Sequence, residues 1–111
     1  MKLLEGKTAI VTGSGRGVGR GHCLHLAKNG AKVVVNDILL EEAQKVADEI
    51  KAAGGEAIAS NADIGSRAGC ELLVQQCVDA FGGIDIAINN AGIVRDKTLL
   101  KLEDADFDIV W

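Results

Sequence analysis

A glycine-rich segment near the start of the chain has the residue types and spacing of a phosphate-binding turn. Five glycines occupy the nine positions 13–21, directly after the apolar run 8–11. Glycine allows positive φ and lets a ligand approach the main chain closely. A helix that begins in this segment directs free N–H groups and the positive end of its dipole at the turn. The segment therefore predicts a site for a phosphate group.

The spacing of these glycines is T-G-x-x-x-G-x-G and not the strict G-x-G-x-x-G pattern, because the sixth position counted from Gly13 is Val18. The wider turn still opens a helix N-terminus to a pyrophosphate. The alternative is a glycine-rich turn that holds no ligand. The predicted phosphate-binding residues are Thr12, Gly13, Ser14, Gly15, Arg16, Gly17, Val18 and Gly19.

Asp37 lies 18 residues after Gly19, at the end of a second apolar run. A carboxylate in this place accepts hydrogen bonds from the adenosine ribose hydroxyls and repels a 2′-phosphate, so Asp37 favours NAD over NADP as cofactor. Arg16 is a counter-signal, because a basic side chain in the glycine turn can pair with a 2′-phosphate. The alternative role for Asp37 is that of an acid at a helix N-terminus.

Two further polar segments follow predicted strands, where ligands of open α/β sheets bind. Asp63 could accept the exocyclic amine of adenine, with Ile64 against the ring; the alternative for Asp63 is an ordinary loop acid. The tetrapeptide 89–92 is small enough to let a cofactor lie close, and its alternative is a turn formed by Asn and Gly. Its candidate cofactor-binding residues are Asn90, Ala91 and Gly92.

The elements that must position these residues alternate along the whole chain. Apolar, β-branched runs predict strands at 8–12, 32–37, 56–60 and 84–89. Periodic apolar stripes predict helices at 18–29, 40–53, 66–81 and, less completely, 103–111. This order indicates βαβ units, hence an α/β fold with a parallel sheet and helices on both faces. We expect one domain over residues 1–111.

Composition excludes several other classes of protein. The net charge of −4 argues against a general nucleic-acid binder, and no apolar run approaches the length of a membrane span. Cys23, Cys70 and Cys77 lack the spacing of a zinc site or disulfide framework, so they are expected to be buried thiols in a cytoplasmic, reducing environment. His22 and His25 have no suitably spaced third ligand, so no metal site is expected.

Taken together, the glycine turn, Asp37, Asp63 and the segment 89–92 resemble the N-terminal half of a short-chain dehydrogenase/reductase over the whole chain. The segments 33–37 and 90–96 more loosely resemble its hydroxyacyl-CoA dehydrogenase and ketoacyl reductase branch. The resemblance implies a Rossmann-like sheet of order 3-2-1-4 and an NAD-dependent oxidoreductase of alcohols or ketones. It also implies that Asn90 holds the ribose region through its backbone and that Gly92 leaves space beside the cofactor.

The resemblance implies no catalytic residue within these 111 residues. The family's chemistry uses Asn, Ser and a Tyr-x-x-x-Lys pair, and this chain contains no tyrosine. We therefore expect an inactive, truncated dinucleotide-binding portion of a longer enzyme. The alternatives are a non-catalytic nucleotide-binding or self-associating module, and a scaffold without a ligand. Self-association is expected through an exposed fourth strand or the fourth-helix region.

Overall fold

The computed structural model describes residues 3–13, 17–89 and 108–110. Strands and helices alternate in it from the first strand to the fourth, as the sequence predicts. The strands are β1 (Thr8–Thr12), β2 (Lys32–Asn36), β3 (Ala57–Ser60), β4 (Ile86–Asn89) and β5 (Asp108–Val110). The helices are α1 (Gly17–Lys28), α2 (Leu40–Ala52) and α3 (Arg67–Phe81).

All the strands pair in parallel in one sheet of order β3-β2-β1-β4-β5. The register matches Val11 with Val35 and with Ile88, so the central strands are nearly level. The predicted order 3-2-1-4 is confirmed, and β5 extends the sheet beyond it.

The alternation of side chains along the strands divides the core into two layers. Ala9 and Val11 of β1 face one layer, which contains the buried residues of α1 and α2. Ile10 and Val34 face the other layer, which contains Leu73 and the other buried residues of α3. Helices therefore cover both faces, which explains why β1 and β2 are continuous apolar runs.

The far edge of the sheet differs from the sequence prediction. Residues 108–110 form a strand that pairs with β4, so the prediction of a helix over 103–111 is wrong at these three positions. The remaining residues of that range, 103–107 and 111, lie outside the described part of the chain. Because β5 occupies the outer side of β4, the prediction that the fourth strand is an open edge is also wrong.

The start of α3 is fixed by a side-chain cap and by a close backbone contact. The Ser66 hydroxyl accepts a hydrogen bond from the Gly69 N–H at 3.0 Å, as expected of a helix N-cap. A Cβ atom at Gly69 would lie 1.8 Å from the Asp63 carbonyl oxygen. The loop before α3 therefore depends on the absence of a side chain at position 69.

We expect Gly69→Ala to destabilise the chain by about 1–3 kcal/mol or more, because backbone atoms must move to admit the methyl group. Thermal or urea unfolding followed by circular dichroism measures this effect. Gly21→Ala is the matched control: an added Cβ at this exposed position of α1 meets nothing within 4 Å. The control should gain up to about 1 kcal/mol from helix propensity. Equal stability of the two variants would contradict the close-contact explanation.

Candidate functional site

The carboxyl ends of the strands bring the predicted site residues to one edge of the sheet. Thr12 pairs with Asn89, and Asn36 pairs with Ser60, so β1 and β4 end level with each other, as do β2 and β3. The turn after β1, Asp37 after β2 and the loop 61–65 after β3 consequently follow neighbouring strand ends. This is the edge at which open α/β sheets bind their ligands.

The turn after β1 has the backbone geometry that its glycines predict. Gly13 has φ of 60° and Gly17 has φ of 56°, values that side chains rarely tolerate. A Cβ at Gly17 would meet nothing within 4 Å, so the space beside the start of α1 is open. Thr12 is buried, and its hydroxyl lies 3.5 Å from the Ile88 carbonyl oxygen, to which it donates.

The first turn of α1 is suited to binding an anion. It contains no acidic residue, Gly19 is buried, and the Val18 side chain is 69% exposed. An anion at this end would meet the positive end of the helix dipole. The predicted residues Ser14, Gly15 and Arg16 lie outside the described residues.

Asp37 is buried, with 6% of its surface exposed, at the point where β2 ends. Its N–H donates to the Ser60 carbonyl at 3.0 Å, and its carboxylate accepts from the Leu39 N–H at 3.0 Å. Leu39 is the N-cap residue of α2 and has no side-chain cap of its own. The carboxylate thus has a local structural role beside the ribose contact that the sequence predicts.

Asp63 and Ile64 lie in the loop between β3 and α3, with different exposures. The Asp63 side chain is exposed, and its carboxylate accepts from the Gly65 N–H at 2.8 Å. Ile64 is only 7% exposed and packs with Cys70 and Leu73. Asp63 is therefore available to a ligand from solvent, whereas most of Ile64 belongs to the core. Asn90, Ala91 and Gly92 lie outside the described residues.

Sequence reasoning named Thr12 but missed two other polar residues at the strand ends, Asn36 and Ser60. All three are the last residues of their strands, and all three are buried. The Asn36 amide donates to two carbonyls of the β3 end. The available signal was an asparagine at the end of the valine run 33–35, since a buried amide in such a place must be hydrogen-bonded.

The orientation of α1 relative to α2 is supported by an exposed ion pair. The Arg20 guanidinium donates twice to the Glu49 carboxylate, with an Nε to Oε1 distance of 2.9 Å. Hydrogen bonding from Arg20, reinforced by its charge, lowers the pKa of Glu49 below its ordinary value. The same contacts raise the pKa of Arg20.

Two cavities of about 310 and 400 Å³ open at the opposite, amino edge of the sheet. They share Ala27 and Gly55, and neither is lined by a predicted site residue. Within the described ranges, no three His, Cys, Asp or Glu side chains are grouped as metal ligands would be. None of the helices described here is long and apolar enough to cross a membrane. Cys23, Cys70 and Cys77 are buried, as predicted.

Comparison with known proteins places this geometry in a family. The family model described as short chain dehydrogenase matches residues 7–111. Peroxisomal multifunctional enzyme A of Dictyostelium discoideum is 46% identical over 114 residues, which cover 95% of this chain and 25% of that protein. Hydroxyacyl-CoA dehydrogenase ChsB1 of Mycobacterium tuberculosis is 46% identical over 112 residues, covering 96% of this chain and 35% of the relative.

Solved structures show the same similarity. A short chain dehydrogenase from Mycobacterium avium superimposes with a TM-score of 0.78 at 46% identity, over 83% of this chain and 36% of that one. A 7α-hydroxysteroid dehydrogenase complexed with NADH and a bile-acid derivative gives a TM-score of 0.76 at 41% identity, over 78% and 34% of the two chains. The chain thus spans less than half the length of these relatives.

The ion pair between α1 and α2 predicts a measurable shift in the titration of Glu49. We expect NMR to show a Glu49 pKa below the ordinary 4.5, and Arg20→Gln to raise it. Because the folded-state pKa is lowered, the pair's contribution to stability is present above the ordinary pKa. It is lost as the pH falls through the folded-state pKa. The stability difference between wild type and Arg20→Gln should therefore shrink in acid.

Arg67→Gln is the matched control, since Arg67 forms an exposed pair with Glu71 on α3, away from α1. It should leave the Glu49 titration unchanged. If Arg20→Gln also left it unchanged, the pair would not exist in solution.

Proposed function

Because this chain belongs to the short-chain dehydrogenase family, we propose that it is the NAD-binding portion of an oxidoreductase that interconverts alcohols and ketones. The observation that carries the proposal is the convergence of three features at one sheet edge: the glycine turn at the N-terminus of α1, the buried Asp37 and the exposed Asp63. These features match the three parts of the ADP portion of NAD, namely pyrophosphate, ribose and adenine.

The described residues of the phosphate turn fit such a cofactor. Positive φ at Gly13 and Gly17 turns the chain into α1, and the space at Gly17 admits a ligand close to the backbone. The absence of acids from the first turn of α1 leaves the helix dipole unopposed. In the proposed complex the backbone N–H groups of this turn hold the pyrophosphate, and the residues predicted at 90–92 lie beside the nicotinamide half.

NAD is the proposed cofactor in preference to NADP, on the strength of Asp37. Its carboxylate stands at the end of β2, where the adenosine ribose binds in the proposed complex. A second negative charge, from a 2′-phosphate, would be repelled there with little water between the charges. One structural relative was solved with NADH, which agrees with this choice.

The cofactor supplies hydride transfer, and the residues of this chain bind and orient it. No tyrosine is present to act as the family's acid/base group, so turnover requires residues beyond these 111. The name of the Mycobacterium tuberculosis relative makes hydroxyacyl-CoA thioesters the first substrate class to test in the whole enzyme. The cytoplasmic compartment stays a prediction, and the Dictyostelium relative carries a peroxisomal name.

The alternatives from the sequence have less support. Self-association through an open fourth strand loses its basis, because β5 pairs with β4. A scaffold without a ligand explains the local bonds of Asp37 and Asp63, but it gives no reason for the open space at Gly17 beside an acid-free first turn of α1. A non-catalytic nucleotide-binding module shares the proposed site and differs only in the absence of turnover.

Replacing Asp37 tests the choice of cofactor. Asp37→Ala should weaken NAD binding by about 1.5–3 kcal/mol, the range for hydrogen bonds to a charged group. NADP binding should weaken less or improve, because the repelling charge is gone. Fluorescence titration with NADH and NADPH gives the ratio of the two dissociation constants.

Asp37→Asn separates this role from the local one. Asparagine keeps an acceptor for the Leu39 N–H but removes the charge. It should therefore move the NAD to NADP ratio in the same direction as alanine, with a smaller loss of stability. If the ratio stays fixed in both variants, Asp37 only supports the start of α2, and the NAD assignment must be withdrawn.

The division between binding and chemistry gives a further prediction. The purified 111-residue chain should bind NADH, yet show no alcohol-dependent reduction of NAD above background, because it lacks the acid/base group. Adding the downstream coding sequence should restore turnover if that sequence carries a Tyr-x-x-x-Lys pair. Turnover by the 111 residues alone would refute this division, and absence of NADH binding would refute the proposed function.

A further inference from the structure

We propose that Asn36 is a positioning residue for adenine recognition: its buried amide ties the loop that carries Asp63 to the strand that carries Asp37. The inference rests on the proposed function, because it assigns Asn36 a role in the same cofactor site. Asn36 itself makes no contact with the cofactor in this proposal. It acts through the backbone of residues 60–63.

The position of Asn36 requires hydrogen-bond partners for its amide. Asn36 is 2% exposed and is the last residue of β2, directly after three valines. Its Nδ2 donates to the Ala62 carbonyl at 3.0 Å and lies 3.4 Å from the Ser60 carbonyl, its second acceptor. Burying an amide is unfavourable without such partners. The two backbone carbonyls therefore explain why an asparagine is tolerated at this buried position.

These bonds begin where the sheet ladder stops. The pairing of β2 with β3 ends at Asn36 and Ser60, and the Asp37 N–H adds one bond to the Ser60 carbonyl. Beyond this point the ladder no longer fixes the distance between the segment that follows β2 and the segment that follows β3. The Asn36 side chain bridges the gap, because the Ala62 carbonyl it binds is in the peptide group that joins Ala62 to Asp63.

The loop is also held from the side of α3. The Ser60 hydroxyl accepts from the Ala62 N–H at 3.2 Å and bonds the Gln76 side chain of α3. The Asp63 carbonyl accepts from the N–H and the hydroxyl of Ser66, each at 3.3 Å. Held on both sides, the Asp63 backbone has a fixed place while its carboxylate reaches solvent.

The buried Asn36 side chain is therefore the link that ties the proposed adenine contact to the strand of the proposed ribose contact, in addition to the bonds that hold the loop from the α3 side. Asp37 is the next residue after Asn36, and Asp63 is the next residue after Ala62. Loss of the amide would remove the side-chain bonds to the Ser60 and Ala62 carbonyls, whereas the bond from the Asp37 N–H to the Ser60 carbonyl would stay. The loss should thus impair recognition of the base more than recognition of the rest of the dinucleotide.

The test compares NAD with nicotinamide hypoxanthine dinucleotide, in which a carbonyl oxygen replaces the exocyclic amine of adenine. If Asp63 accepts from that amine, the wild-type chain should prefer NAD by roughly tenfold or more. Asn36→Ala should reduce this preference to below roughly threefold, as expected for a partly misplaced acceptor. In an Asp63→Ala background, Asn36→Ala should change the preference no further, because the two residues act through one contact.

The matched control is Asn29→Ala, which removes another asparagine amide bonded to a backbone carbonyl, that of His25 at 2.9 Å. This variant lies at the end of α1 and should leave the preference intact. Asn36→Ser, which keeps a small polar group, serves as a second variant if alanine prevents folding. A purely structural role for Asn36 would weaken both dinucleotides equally and leave their ratio unchanged, and that result would overturn the proposal.

A measurement without ligand separates this inference from the proposed function. Amide hydrogen exchange at Ala62 and Asp37 should become faster by about fivefold in the Asn36 variants, the equivalent of one neutral hydrogen bond. Unchanged exchange would overturn the positioning role even if NAD binds. Binding of NAD without preference over the hypoxanthine analogue would overturn the inference alone, whereas no binding of either dinucleotide would overturn the proposed function and the inference with it.

Discussion

All five residues of β1 are buried, and the arrangement of the molecule follows from that burial. A parallel strand with neighbours on both sides and apolar side chains on both faces must be covered by helices above and below. α1 and α2 supply one layer, and α3 supplies the other. Since every crossover returns to the same end of the sheet, the carboxyl ends of the strands share one edge. The loops there are consequently the natural place for a ligand.

The change from apolar strand to polar loop is abrupt at this edge. Thr12, Asn36 and Ser60 end their strands inside the core, and their side chains bond backbone groups of neighbouring segments. Valine in their places would preserve the apolar packing but leave carbonyls or N–H groups without these partners. These polar side chains thus fix the positions of the neighbouring backbone segments at the carboxyl edge of the sheet.

The two acids at this edge combine local roles with the ligand-directed roles that we propose for them. Asp37 supports the start of α2 through the Leu39 N–H, and Asp63 closes a turn through the Gly65 N–H. Both bonds hold the carboxylates in a defined position before any cofactor arrives, which lowers the entropy lost on binding. A substitution at either acid can therefore change both the stability of the fold and the proposed recognition of the cofactor. Asparagine variants separate the two effects, because they remove the charge and keep a hydrogen-bond acceptor.

The sequence by itself determined the alternation of elements and the glycine turn, because these depend on local propensity and periodicity. The cap of α3 at Ser66 follows from the same local rules. The order of the strands followed from the family resemblance and not from local rules. Tertiary structure alone decided that residues 108–110 form a strand, since the unpaired edge of β4 offered hydrogen bonds that outweigh helix periodicity. It also decided the partners of Asn36. Its two acceptors lie 24 and 26 positions away in the sequence, and they come within hydrogen-bond distance only after β2 and β3 have paired. No local sequence pattern therefore predicts them.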